Sequence, residues 1–136
     1  MRTPHPWRDL RDHLAHVTVH WRTLPSPVSG CTDGERVWLH DGLSQVERRC
    51  VLAHELEHVR RGHREAQPAA VEREVRRSVA RYLLPDLAAL AGALAWANTQ
   101  DEAAEELWVT PAVLRDRLEG LTEAERAWLD SRFPVP

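Results

Sequence analysis

The chain has 136 residues, a formal net charge of -3 and 43% hydrophobic residues, enough for one compact domain with a core of its own and too few for two large ones. It has no lysine, so its 18 basic side chains are all arginine, and the negative balance argues against tight general binding to DNA or to anionic membrane. No run approaches the roughly 18 apolar residues of a membrane span, and the start, with Arg2, Pro4, His5 and Pro6, is unlike a signal peptide.

In chain order, Pro6 introduces a short amphipathic helix from Trp7 to Ala15 carrying Trp7, Leu10 and Leu14. Val17 to Trp21 alternates as a strand does, and Leu24 to Gly30 reads as a loop or edge. Cys31 to His40 reads as a hairpin turning at Asp33-Gly34, with Val37 to His40 as its return strand. A helix from Ser44 to Arg61 follows, opened by a capping box of Ser44 and Glu47 and stopped by Gly62. Ala69 to Leu84 forms another, with Val71, Val75, Val79, Tyr82 and Leu83 on one side and Pro85 beyond its end. Four more helices are expected over Asp86–Ala97, Asp101–Leu107, Pro111–Gly120 and Glu123–Arg132.

The first of the two central helices carries His54-Glu55-Leu56-Glu57-His58. At about 3.6 residues per turn, His54 and His58 leave one face together and can share one ion, with Glu55 beside them. This is the HExxH arrangement of zinc hydrolases. Neutral imidazoles bind Zn2+ without cancelling its charge, water there becomes acidic enough to attack, and Glu55 is the expected general base and then proton donor.

A catalytic zinc site needs a third protein ligand, and Glu72 and Glu74 on the next helix are the candidates. The wheel puts Glu72 nearer the apolar face and Glu74 on its flank beside Ser78, so periodicity leaves both open. His63 follows closely enough to enter a cleft, and Tyr82 is a candidate donor to an oxyanion, although it also falls on the apolar stripe. His5, His13, His16, His20 and His40 have no ligand spacing. Cys31 and Cys50 lie on separate elements and form no disulfide framework, which fits a reducing cytoplasmic setting, with Cys50 read as a small core residue.

The run Leu52 to His58, then Gly62-His63, then Glu72 to Pro85 resembles the ImmA/IrrE-like family of small metallopeptidases, over residues 7 to 85. In that family the second helix carries the third zinc ligand and ends in Leu-Leu-x-Pro, and counting back from Pro85 favours Glu74. The chain departs from the family pattern at Glu57 for glycine, at Val75 and Arg76, and at Ser78 for phenylalanine. The resemblance implies cleavage of a protein substrate, typically a helix-turn-helix repressor of a phage, mobile element or stress locus.

The expected architecture is therefore α+β: a zincin-like minidomain over residues 1–85, with a small antiparallel sheet, the HExxH helix and the third-ligand helix, and a helical extension over residues 86–136. The first part carries 14 arginines against 11 acids and the second 4 against 10. Within the extension, Ala103 to Leu118 resembles a helix-turn-helix, with Trp108 at the usual glycine of the turn and only Arg115 and Arg117 on the supposed reading helix. Such an acidic module is a poor duplex binder, and packing or substrate docking is the expected role. An extended substrate is expected to add as a strand beside Val37 to His40, the plain alternative being a structural hairpin. The competing functional class is a regulatory protein with a non-catalytic metal site, acting through its helical tail; it differs at Glu55, for which it has no use.

Overall fold

The computed structural model describes residues 4–133. Among these, seven helices and three strands follow in the order α1 (Pro6–His13), β1 (Thr18–Arg22), β2 (Gly30–Thr32), β3 (Arg36–His40), α2 (Gln45–Arg60), α3 (Ala69–Leu83), α4 (Leu87–Trp96), α5 (Gln100–Glu106), α6 (Pro111–Glu119) and α7 (Glu123–Arg132). The class is α+β as expected.

The hairpin β2–β3 closes where the Asp33 carboxylate accepts the N–H groups of Glu35 and Arg36, and Gly34 adopts φ 95°. β1 pairs with the other side of β3, in parallel, from Thr18 opposite Arg36 to Arg22 opposite His40. The sheet is thus mixed, in the order β1-β3-β2, rather than antiparallel throughout. This order corrects the expected substrate strand: β3 is paired on both sides, and β2 is the strand left at the cleft-side edge.

The inner face of β3 buries Val37 and Leu39 against Leu52 and Leu56 of α2. Each of these leucines contributes about 2–3 kcal/mol by leaving water. The capping box holds the start of α2: Ser44 Oγ accepts from Glu47 N–H, and the Glu47 carboxylate accepts from Ser44 N–H. The opposite side of α2 gives Cys50 and Ala53 to a second, larger core built with Val75, Val79, Leu83, Leu90 and Leu114. That core is continuous across residue 85, so α4 to α7 pack as part of the same body as α3. α2 lies between the two cores, and its histidines emerge along the seam.

Two buried arginines fasten the helical part. Arg117 donates to the Leu84 carbonyl at 2.8 Å and to Glu125 at 3.0 Å, which removes it from any outward reading face of α6 and leaves Arg115 there. Arg49 on α2 donates to the carbonyls of Trp108 and Pro4 and lies over the Trp108 ring. Trp108 occupies the α5–α6 turn at φ 58°, the left-handed conformation that explains why glycine is usual there. No single helix among the described residues is long and apolar enough to cross a membrane.

Candidate metal centre

The α2 periodicity sets the Nε2 atoms of His54 and His58 3.2 Å apart. On α3, Val75 and Val79 are drawn into the larger core, and Glu72 shares their stripe one turn earlier. Its carboxylate therefore meets the imidazoles, at 3.3 Å from His54 Nε2 and 3.2 Å from His58 Nε2. One donor atom from each of His54, His58 and Glu72 lies within 4.8 Å of the others. Ligand bonds of about 2.0–2.1 Å to a tetrahedral zinc separate neighbouring donors by about 3.3 Å, so the donor set fits such an ion in both chemistry and spacing.

Glu74, favoured by the count from Pro85, does not join this cluster. Its side chain is 72% exposed, against 28% for Glu72, and lies 3.7 Å from Arg61 rather than beside the imidazoles. Two residues along a helix rotate a side chain by about 200°, so both glutamates cannot face α2.

Glu55 is buried and opens onto the same cleft. Burial first, and then the charge of Glu72, push its carboxyl up to about 7. Burial and the neighbouring His58 hold the His54 imidazole below its usual range although Glu72 pulls the other way, which favours the neutral ring near pH 7.

The cleft, of about 440 Å³, is walled on one side by Ser29, Gly30, Cys31 and Thr32 and on the other by Glu65 and Ala66, with Val51, the two histidines and both Glu55 and Glu72 in its floor. Gly30 has a steric task. A Cβ there meets Val51 Cγ1 at 2.6 Å and Glu55 Cγ at 3.3 Å, so only glycine lets β2 lie this close to the glutamate. The pattern from Leu24 to Gly30 reads as a loop or edge, whereas Gly30 opens β2, and a glycine opening a strand is the signal that marks such an approach.

The two candidate polar helpers lie elsewhere. Tyr82 donates its hydroxyl to Asp9 of α1 and lines a separate small cavity with Ala53, Glu57 and Arg60. His63 turns its Nδ1 to His58 Nδ1, at 2.9 Å, rather than lining the cleft. Cys50 is buried in the larger core, Cys31 is exposed at the cleft wall, and both are free thiols.

Neither a curated protein nor a solved structure gives a significant match to the chain. A family match covers most of it, extending past residue 85 into the helical part and joining a peptidase family to a fold in which three side chains able to hold a metal converge. From α1 through the end of α6, residues 10–119, the chain matches the Peptidase M78 family, described as the IrrE N-terminal-like domain, and it belongs to that family.

Proposed function

We propose that the chain is a zinc-dependent endopeptidase in which His54, His58 and Glu72 hold the ion and Glu55 acts as general base and then proton donor. The observation that carries this reading is the buried Glu55 carboxyl facing the same cleft as three convergent donors, since a purely structural metal site has no use for it. A zinc ion in that position supplies Lewis-acid activation of water and of the scissile carbonyl. Glu55 takes a proton from the attacking water and delivers it to the departing amide nitrogen, so the C–N bond breaks as hydroxyl is added to the acyl carbon. The edge strand β2 offers backbone groups along the cleft, which suits an extended peptide adding as a further strand.

The substrate is a protein, with a helix-turn-helix repressor as the class that the family resemblance suggests. The free thiols fit the cytoplasm as the place of action. With Arg117 engaged inside the fold, the α5–α6 pair serves packing or substrate docking rather than duplex reading.

The test is metal analysis together with cleavage of a helix-turn-helix repressor, by wild type and by Glu55→Gln. One zinc per chain in both proteins, with cleavage reduced by about 10²–10⁴-fold in the variant, is expected. Equal cleavage by both proteins overturns the role of Glu55. Bound zinc with no cleavage by wild type of that repressor or of a denatured protein favours the regulatory alternative.

A further inference from the structure

His63 has no task in that chemistry, yet the chain is bent to deliver it. Gly62 ends α2 with φ 77°, and nothing lies within 4 Å of where its Cβ would be, so the backbone conformation rather than space calls for glycine. The reversal is held by Gly62 N–H donating to the Val59 carbonyl at 3.0 Å and His63 N–H donating to the His58 carbonyl at 2.9 Å. It sets the two rings 5.2 Å apart between centroids, with Nδ1 facing Nδ1 at 2.9 Å.

Two imidazole nitrogens at that distance share one hydrogen: one donates and the other accepts. Which one donates follows from the far side of His58. Its Nε2 lies 3.2 Å from both Glu72 Oε1 and His54 Nε2, the direction of the ion in the proposed reading. A ligating nitrogen carries no hydrogen, so when His58 holds the ion through Nε2 its N–H sits on Nδ1. That N–H donates to His63 Nδ1, and His63 keeps its own N–H on Nε2. His58 is buried, so without His63 its Nδ1–H loses the acceptor that the fold supplies.

We infer that His63 is a positioning residue for the metal centre: as a hydrogen-bond acceptor it fixes the tautomer and the ring plane of His58. Ligand histidines elsewhere commonly donate to a carboxylate or a backbone carbonyl. Here an imidazole takes that place and adds no negative charge behind the ligand. The inference rests on the reading of His54, His58 and Glu72 as metal ligands, and its test is independent of peptidase activity.

The test uses the full chain loaded with zinc. In the ¹⁵N-labelled wild type, His58 is expected to carry its hydrogen on Nδ1 and to show scalar coupling through that hydrogen to His63 Nδ1. A hydrogen found on His58 Nε2 overturns the inference. Competition with a chelator then compares wild type, His63→Leu and His63→Asn, whose Oδ1 falls where Nδ1 stood. His63→Leu is expected to weaken zinc binding by about 10–100-fold, with His63→Asn recovering most of that loss. Equal affinity of His63→Leu and wild type, or equal losses in the two variants, overturns the acceptor role while leaving the metal reading intact. A wild type that binds no zinc removes both. If His63→Leu does not fold, the coupling in wild type decides alone.

Discussion

Replacing Gly30 with alanine adds one carbon at the tightest point between β2 and α2. That carbon falls 2.6 Å from Val51 Cγ1, 3.2 Å from the Trp38 carbonyl oxygen and 3.3 Å from Glu55 Cγ. Carbon atoms relax at about 3.5–4.0 Å, so the first contact calls for a movement of about 1 Å. Val51 is β-branched and sits in a helix, which leaves it little choice of rotamer. The Trp38 carbonyl belongs to a strand paired on both sides. The displacement therefore falls on β2 or on Glu55. Overpacking of this kind costs about 1–3 kcal/mol, and a misplacement of about 1 Å at reacting groups costs about 10²-fold in turnover. Gly30→Ala should thus lower Tm by several degrees and reduce kcat/KM by about 10²-fold while zinc content is unchanged. The double variant Gly30→Ala/Val51→Ala removes the 2.6 Å overlap and should recover much of the lost turnover, although Val51→Ala alone costs about 1 kcal/mol. Melting curves, metal analysis and steady-state cleavage on all four proteins read this out. A single variant with wild-type Tm and turnover, or a double variant no better than Gly30→Ala, refutes the steric argument.

Glu72→Gln should weaken zinc binding by more than the 10–100-fold typical of an outer hydrogen-bond partner, whereas Glu74→Gln leaves it unchanged in the same chelator competition; the reverse order would reinstate Glu74 as the ligand. Acid stability should depend on Glu125. Burial raises its carboxyl, but the Thr122 cap, Arg117 and Arg81 outweigh that and hold it at about 2, below its ordinary 4.5. A carboxyl lowered in the folded state stabilises it fully above about pH 4.5 and loses that contribution as pH falls towards 2. The drop corresponds to about 3 kcal/mol before screening and to about 1–2 kcal/mol once the solvent-exposed Arg81 is discounted. Urea unfolding of wild type and Glu125→Gln should therefore show a gap at pH 6 that has narrowed to about half or less by pH 3 and all but closes at about pH 2; a gap of constant size refutes the linkage.

Local signals carried much of this fold. The Ser44–Glu47 capping box, the Asp33–Gly34 turn and the Thr122 start of α7 lie where residue chemistry puts them, because each is settled within about four residues. What the chain did not disclose was set by long-range pairing. β1 comes before the hairpin, and nothing within it says that it joins β3 in parallel and leaves β2 at the edge.

The third donor shows the same division more sharply. Periodicity had already placed Glu72 nearer the buried stripe, since it stands three and seven residues before Val75 and Val79. The count from Pro85 instead depends on a fixed length from ligand to helix end, and a shift of two residues turns a side chain from one helix face to the other. Phase against the core is the safer guide, because α3 must bury Val75 and Val79 wherever it ends. The departures from the family pattern also make sense only in space: Ser78 Oγ donates to Glu57 Oε2 at 2.8 Å, so a glutamate on α2 and a serine on α3 replace each other's expected partner with a hydrogen bond between the two helices. Read singly, each substitution weakens the pattern; paired, they bridge the two helices that carry the three donors.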